Sequence, residues 1–171
     1  MSRIIIIEGP NCVGKTGLAN YLSERLDVPV YEHIVDQHAW KDPIEGYIEF
    51  VTLYNMGKYP GVELICDRGL PSFAYYNREW GNNKIFTCWI EDLLKWDFVR
   101  VICMMSDYSN LCKNALKKKN EIGEDDTVEF SEIDWFKYCY RLIPDKFRVD
   151  CNIETYDESY SWMEKIYQEV K

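Results

Sequence analysis

Residues 9–16 read Gly-Pro-Asn-Cys-Val-Gly-Lys-Thr, and no other stretch constrains the chain as strongly. They satisfy the pattern G-x-x-x-x-G-K-[ST]. Directly before them runs Ile4-Ile5-Ile6-Ile7, a β-branched run of the kind that forms strands covered on both faces. Directly after them, Leu18, Ala19, Leu22 and Leu26 mark one face of a helix. A strand, a glycine-bearing turn and a helix in that order form an anion nest. Backbone N–H groups curl inward, and the positive end of the helix dipole points at the same spot.

The chemistry follows from the residue types. Gly9, Pro10, Asn11, Cys12, Val13, Gly14, Lys15, Thr16 and Gly17 are the expected binding set for the phosphates of ATP. The Lys15 ammonium should bridge the β- and γ-phosphates, and the Thr16 hydroxyl should ligate Mg²⁺. A guanine-nucleotide switch would also need N-K-x-D, but the only Asn-Lys step of that kind, Asn83-Lys84, continues Ile85-Phe86. At 171 residues the chain is about one domain long, which suits a small-molecule kinase better than a motor ATPase.

Charge and cysteine usage narrow the partners. Lys plus Arg is 20 and Asp plus Glu is 29, a net charge of −9. Such a chain repels polynucleotides and acidic membranes, so no nucleic-acid or membrane partner is expected. The 7 cysteines are odd in number, none is spaced C-x-x-C, and only His33 and His38 could help to hold zinc. The opening residues are not expected to be a secretory leader and no apolar run of roughly 18 residues occurs, so the expected setting is cytoplasmic, with reduced thiols.

Further strands are expected over 28–31, 62–66, 98–104 and 149–153. Helices are expected over 44–56, 71–79, 85–95, 108–119, 133–143 and 160–170. Alternating strands and helices predict an α/β fold with a parallel sheet and right-handed crossovers. Nothing resembling a linker or repeat breaks residues 1–171 into more than one domain.

A second motif lies at the end of the third strand. Leu64-Ile65-Cys66-Asp67-Arg68-Gly69 puts an acid and a base at the carboxyl edge of a parallel sheet, where ligands of such sheets bind. Asp67 suits Mg²⁺ or an acceptor oxygen, and the planar fork of Arg68 suits an acceptor phosphate or hydroxyl. The run from Asp67 to Tyr76 fits D-R-x-x-x-S-x-x-x-Y. With Glu8-Gly9 opening the loop, it resembles the thymidylate kinase family and the related deoxynucleoside kinases, in particular small phage-type members.

That resemblance implies a three-layer P-loop kinase fold with a five-stranded parallel sheet flanked by helices. It implies ATP and Mg²⁺ as cofactors and a small nucleoside or nucleotide as substrate. The expected reaction is transfer to a deoxynucleoside monophosphate. The alternatives are a deoxynucleoside kinase acting on a sugar 5′-hydroxyl and a non-catalytic nucleotide-binding module. A homodimer is compatible with the resemblance. Lys15, Asp67, Arg68 and Glu32 are the catalytic candidates, with Thr16 and Asp67 as metal ligands. Asn11, Arg68, Ser72, Phe73, Tyr76 and Trp40 are the acceptor-binding candidates.

The chain departs from the family pattern at three places. Asn11 stands where an acid is usual, and Gly17 stands where a second Ser or Thr is usual. Gly17 implies either a helix penalty of about 1 kcal/mol or a close approach by another group. The lid, expected as a reduced segment around 113–130, offers Lys117, Lys118 and Lys119 in place of arginine, with Arg141 downstream as a substitute. Seven acids (Glu121, Glu124, Asp125, Asp126, Glu129, Glu132 and Asp134) crowd the stretch that should close over phosphate. Glu32 is the candidate general base for a hydroxyl acceptor, with Asp36 as its rival.

Overall fold

The computed structural model describes residues 3–32, 43–77, 88, 90–123, 126–151 and 156–171. The isoleucine run behaves as its composition dictates. It forms the middle of β1 (Arg3–Glu8), and Ile4 to Ile7 are each at most 1% exposed. Fully burying one such side chain contributes about 1.5–3 kcal/mol, so this strand anchors the core.

Four more strands complete the sheet: β2 (Val30–Glu32), β3 (Glu63–Asp67), β4 (Val99–Met105) and β5 (Arg148–Asp150). Their order is β2-β3-β1-β4-β5, and every pairing is parallel. The expected α/β architecture is therefore present. The first strand pairs with β3 on one side and β4 on the other, so the strand order reverses at β1. The turn after β1 opens at that reversal, where open parallel sheets bind ligands.

Helices α1 (Lys15–Leu26), α2 (Pro43–Asn55), α3 (Leu70–Tyr76), α4 (Tyr108–Ile122), α5 (Phe130–Leu142) and α6 (Tyr156–Val170) flank the sheet. Helix α1 packs with α6, whereas α3 packs with both α2 and α5. Helix α4 differs from the rest in burying only Leu111. It is capped at one end by the Asp107 carboxylate, which accepts from Asn110 N–H at 2.8 Å. At the other end Gly123, with φ 75°, donates to Lys119 O at 3.0 Å.

Boundaries moved where local chemistry overrides periodicity. The second strand begins at Val30 rather than Val28, because Pro29 has no N–H to offer a ladder; its carbonyl accepts from Ile65 N instead. Helix α3 stops at Tyr76, where Asn77 turns its amide onto Phe73 O. Helices α5 and α6 each start earlier than the apolar spacing implied. Of the expected 85–95 helix, residues 88 and 90–93 are helical among the described residues. His33, Asp36, His38, Trp40, Trp80 and Trp89 lie outside the described residues. Trp96, Trp135 and Trp162 pack against the core, as expected. All seven cysteines are free thiols, with Cys66, Cys103 and Cys139 buried. No helix among the described residues is long and apolar enough to cross a membrane.

Candidate active site

The loop between β1 and α1 is built from backbone conformations that few residues tolerate. Gly9 has φ 147°, and a Cβ there would collide with the Met104 carbonyl, so only glycine fits. Gly14 adopts φ 98° as it opens α1, and Cys12 adopts φ 64° between them. Turning the backbone this way aims successive N–H groups into one concavity. Pro10 has no N–H and cannot donate to that nest. Its contribution is a carbonyl, which with Gly9 O accepts the Lys15 ammonium at 2.7 and 2.9 Å.

Lys15 is 6% exposed. Burial, and then the nearby Arg68 charge, push its pKa down to about 7, against the pull of Asp67, Glu8 and Glu132. A phosphate entering the nest would supply the counter-charge that this ammonium lacks. Thr16 Oγ1 donates to Asp67 Oδ2 at 2.6 Å. The other oxygen of the same carboxylate, Asp67 Oδ1, is buried with no hydrogen-bond partner among the described residues. A buried carboxylate oxygen without a donor is costly unless a cation meets it. The pair Thr16 and Asp67 therefore fits a hard divalent ion such as Mg²⁺. Such an ion would neutralise charge on the β- and γ-phosphates.

Arg68 follows Asp67 with φ 76°. Both of its Nη atoms are engaged. Nη2 donates to Asn11 Oδ1, Nη1 donates to Ser72 Oγ at 3.3 Å, and the guanidinium lies 5.4 Å from the Tyr76 ring centroid. Ser72 is fully buried and donates both its hydroxyl and its N–H to Glu8, which is itself 0% exposed. Burial raises the Glu8 carboxyl above its ordinary value, while Ser72, Arg68 and Lys15 pull it down.

The lid brings Lys117 and Lys118 to the cleft, together with the expected acids Glu121 and Asp126. Asp126 accepts from Lys118 Nζ at 2.7 Å and from Cys12 Sγ at 3.6 Å. The Lys118 contact lowers the Asp126 pKa, and burial with Asp126 pushes the Cys12 thiol up to about 11, so this thiol is protonated at neutral pH. Asn114 donates to Cys12 O at 3.0 Å, and Asn11 Nδ2 lies 3.4 Å from Thr127 O. Glu132, 1% exposed, accepts Asn11 N–H at 3.0 Å and the Tyr76 hydroxyl at 2.8 Å.

The loop, the sheet edge and the lid line a cleft of about 800 Å³, and Glu8, Ser72, Tyr76 and Glu132 lie behind its wall. The loop contributes Asn11, Cys12, Gly14, Lys15, Thr16 and Gly17, the sheet edge contributes Glu32, Asp67 and Arg68, and the lid contributes Asn114, Lys117, Lys118 and Asp126. Glu32 faces the site because β2 and β3 pair with Glu32 opposite Asp67.

Several expectations do not hold. Phe73 is 0% exposed and packs 5.3 Å from Phe50, so it belongs to the core and does not border the cleft. The Val13 side chain is core too, so its expected part in the loop is through its backbone N–H alone. Arg141 lines a second cavity with Tyr108 and Phe130, and Lys119 is exposed and absent from the cleft wall. A Cβ on Gly17 would meet nothing within 4 Å among the described residues, so no neighbouring helix approaches it closely. Glu8 and Glu132 were not foreseen as site residues. The available signal was Glu132 sharing one face of α5 with Ile133, Phe136 and Cys139.

Solved structures share the overall fold of this chain. Deoxyadenosine kinase from M. mycoides, solved with bound dATP, superposes with a TM-score of 0.51 at 13% identity, covering 96% of this chain and 98% of that one. The likeness is one of fold, the parallel sheet flanked by helices. The YorR protein of Bacillus subtilis, solved in complex with phosphorylated GDP, gives 0.56 at 17% identity over 98% and 92% of the two chains. A gluconokinase from Sinorhizobium meliloti gives 0.47 at 12% identity over 98% and 93%. No family model matches the sequence. No curated protein matches it either.

Proposed function

We propose that the protein transfers the γ-phosphoryl group of ATP, with Mg²⁺, to a hydroxyl of a small nucleoside-type acceptor. Lys15 and the loop N–H groups hold the donor phosphates, and Thr16 and Asp67 hold the metal. Glu32 takes the acceptor proton as its oxygen bonds to the γ-phosphorus, and the bond from that phosphorus to the β-γ bridging oxygen breaks to release ADP. Catalysis of this kind is mostly alignment and charge stabilisation.

The observation that carries the hydroxyl reading is the register that sets Glu32 beside Asp67 in the cleft wall. A phosphate-ester acceptor needs no general base and would bring its own negative charge to this wall. The cation facing it, Arg68, already serves Asn11, Ser72 and Tyr76. The nucleoside class rests on the resemblance of residues 67–76 and on the name of the M. mycoides neighbour.

Transfer to a deoxynucleoside monophosphate is the second reading, favoured by Lys117 and Lys118 in the same cleft. Substitution separates the two. Glu32→Gln should lower transfer to a hydroxyl by about 10²–10⁴-fold, the usual size of a general-base contribution. The same change should leave a monophosphate kinase almost untouched, and that result would overturn the hydroxyl reading.

A further inference from the structure

We propose that Glu132 is a positioning residue for Arg68, acting from α5 through Tyr76 and Asn11. The inference rests on the proposed reading in one respect only, that Arg68 faces the acceptor.

Glu132 sits at the first turn of α5 and is almost wholly buried, yet it makes no ion pair with a lysine or arginine of its own helix. Its Oε1 gathers two donors from two other elements, the Asn11 N–H of the loop and the Tyr76 hydroxyl at the end of α3. Those two residues are also the ones that hold Arg68. Asn11 Oδ1 accepts Arg68 Nη2, and the Tyr76 ring lies against the guanidinium. The Tyr76 hydroxyl also lies 3.3 Å from Asn11 Oδ1, so Glu132, Tyr76, Asn11 and Arg68 form one closed polar ring.

On its other side Arg68 leans on Ser72, which is fixed by the buried Glu8. The guanidinium is thus suspended between two buried carboxylates, neither of which touches it directly. Glu8 belongs to β1 and cannot move relative to the sheet. Glu132 belongs to α5, so only the seating of α5 against the loop completes the ring. Removing Glu132 leaves the Asn11 N–H and the Tyr76 hydroxyl without their acceptor, and both are free to turn away from Arg68. Buried polar networks of this type fix geometry when every member is satisfied. A carboxylate that served only to attach α5 to the loop would have no need of Tyr76.

The test compares Glu132→Ala, Glu132→Gln and Tyr76→Phe in the full chain. The first readout needs no substrate: NMR of the arginine guanidinium groups, with Arg68 assigned by loss of its signal in Arg68→Lys. Wild type and Glu132→Gln should show a restrained Arg68 Nε–H signal, because glutamine can still accept both donors. Glu132→Ala and Tyr76→Phe should lose that restraint while the signals of Arg3 and Arg148 stay unchanged. An Arg68 signal identical in all variants overturns the proposal, whether or not the protein is a kinase.

The second readout is kinetic, with ATP and the best deoxynucleoside acceptor. Tyr76→Phe should raise the acceptor KM by about tenfold while the ATP KM changes less than about twofold. In an Arg68→Ala background the same substitution should cost almost nothing, since coupled residues are non-additive. Equal cost in both backgrounds would mean that the ring is structural only. Tyr76→Phe removes a single hydroxyl and keeps the ring face, so it carries the test if Glu132→Ala fails to fold.

Discussion

The two walls of the cleft are made differently. The sheet-side wall, formed by the loop, Asp67 and Arg68, is assembled by strands β1 and β3, whose central residues are fully buried. The lid-side wall hangs on α4, a 15-residue helix that buries only Leu111, and on Asp126 and Glu132 beyond it. The first wall concentrates the groups that attract phosphate. The second returns carboxylates to the same place: Asp126 holds Lys118, and Glu132 holds Asn11. A rigid wall can be specified by neighbouring residues in a motif. A lid is specified by what it touches when it lies down, and those partners are more than 100 residues away in the chain.

The contrast breaks most visibly at Lys15. Lys15→Ala should reduce transfer by at least about 10³-fold, the scale of losing a principal phosphate-charge stabiliser. Single-turnover assays with saturating acceptor measure it. Near-normal turnover in that variant would remove the loop from the mechanism.

Stability probes the same division from the other side. Phe73→Ala should cost about 3–5 kcal/mol in denaturant unfolding, as expected for an emptied aromatic core site. The acceptor KM should stay within about twofold wherever the variant is folded. A large KM effect at unchanged stability would put Phe73 back in the cleft wall.

The pH dependence follows from the burial of Lys15. Its pKa is about 7 in the empty loop, so above that pH the loop is largely neutral. Bound triphosphate favours the ammonium form, so binding must take up a proton. Donor affinity should therefore fall as pH rises from about 7.5 to about 9.5, by up to about tenfold per unit. Titration calorimetry in buffers of different ionisation heat reads the uptake directly. Lys15→Arg, whose charge does not titrate, should flatten the profile.

The lid gives the smallest effect. The Lys118–Asp126 pair is about one-third exposed on each side, so breaking it should alter stability by less than about 1 kcal/mol. Asp126→Asn should nevertheless tighten ATP binding by about threefold, because Lys118 is released and a repelling charge is gone. Weaker ATP binding in that variant would mean that the acid organises the lid rather than opposing phosphate.

The part of the site legible in the sequence is the part whose chemistry is local. A nest needs consecutive N–H groups, so its eight residues must be contiguous, and the strand before and helix after it show in the apolar spacing. Asp67 was readable because a charged pair ends an apolar strand. Residues 72–76 show where reading stops. Ser72, Phe73 and Tyr76 occupy one seven-residue helix, and the sequence does not say which way each points. The fold sends Phe73 to Phe50, Ser72 to Glu8 and Tyr76 to Asn11 and Glu132. Glu132 was hidden among seven acids read as crowding the lid, although it occupies the apolar face of α5. Arg141 was placed by sequence order alone, and the turn of α5 carries it to a separate cavity at the ends of β4 and β5.

The central claim is a phosphate cradle facing an acceptor that carries a hydroxyl and not a phosphate. It is tested most directly by one competition assay. Wild-type protein with ATP and Mg²⁺ is given an equimolar mixture of the deoxynucleosides and their 5′-monophosphates, and the products are resolved by mass. The account predicts that nucleosides gain one phosphate, with monophosphates accumulating before any diphosphate appears. Diphosphates formed while every nucleoside remains unchanged would contradict it.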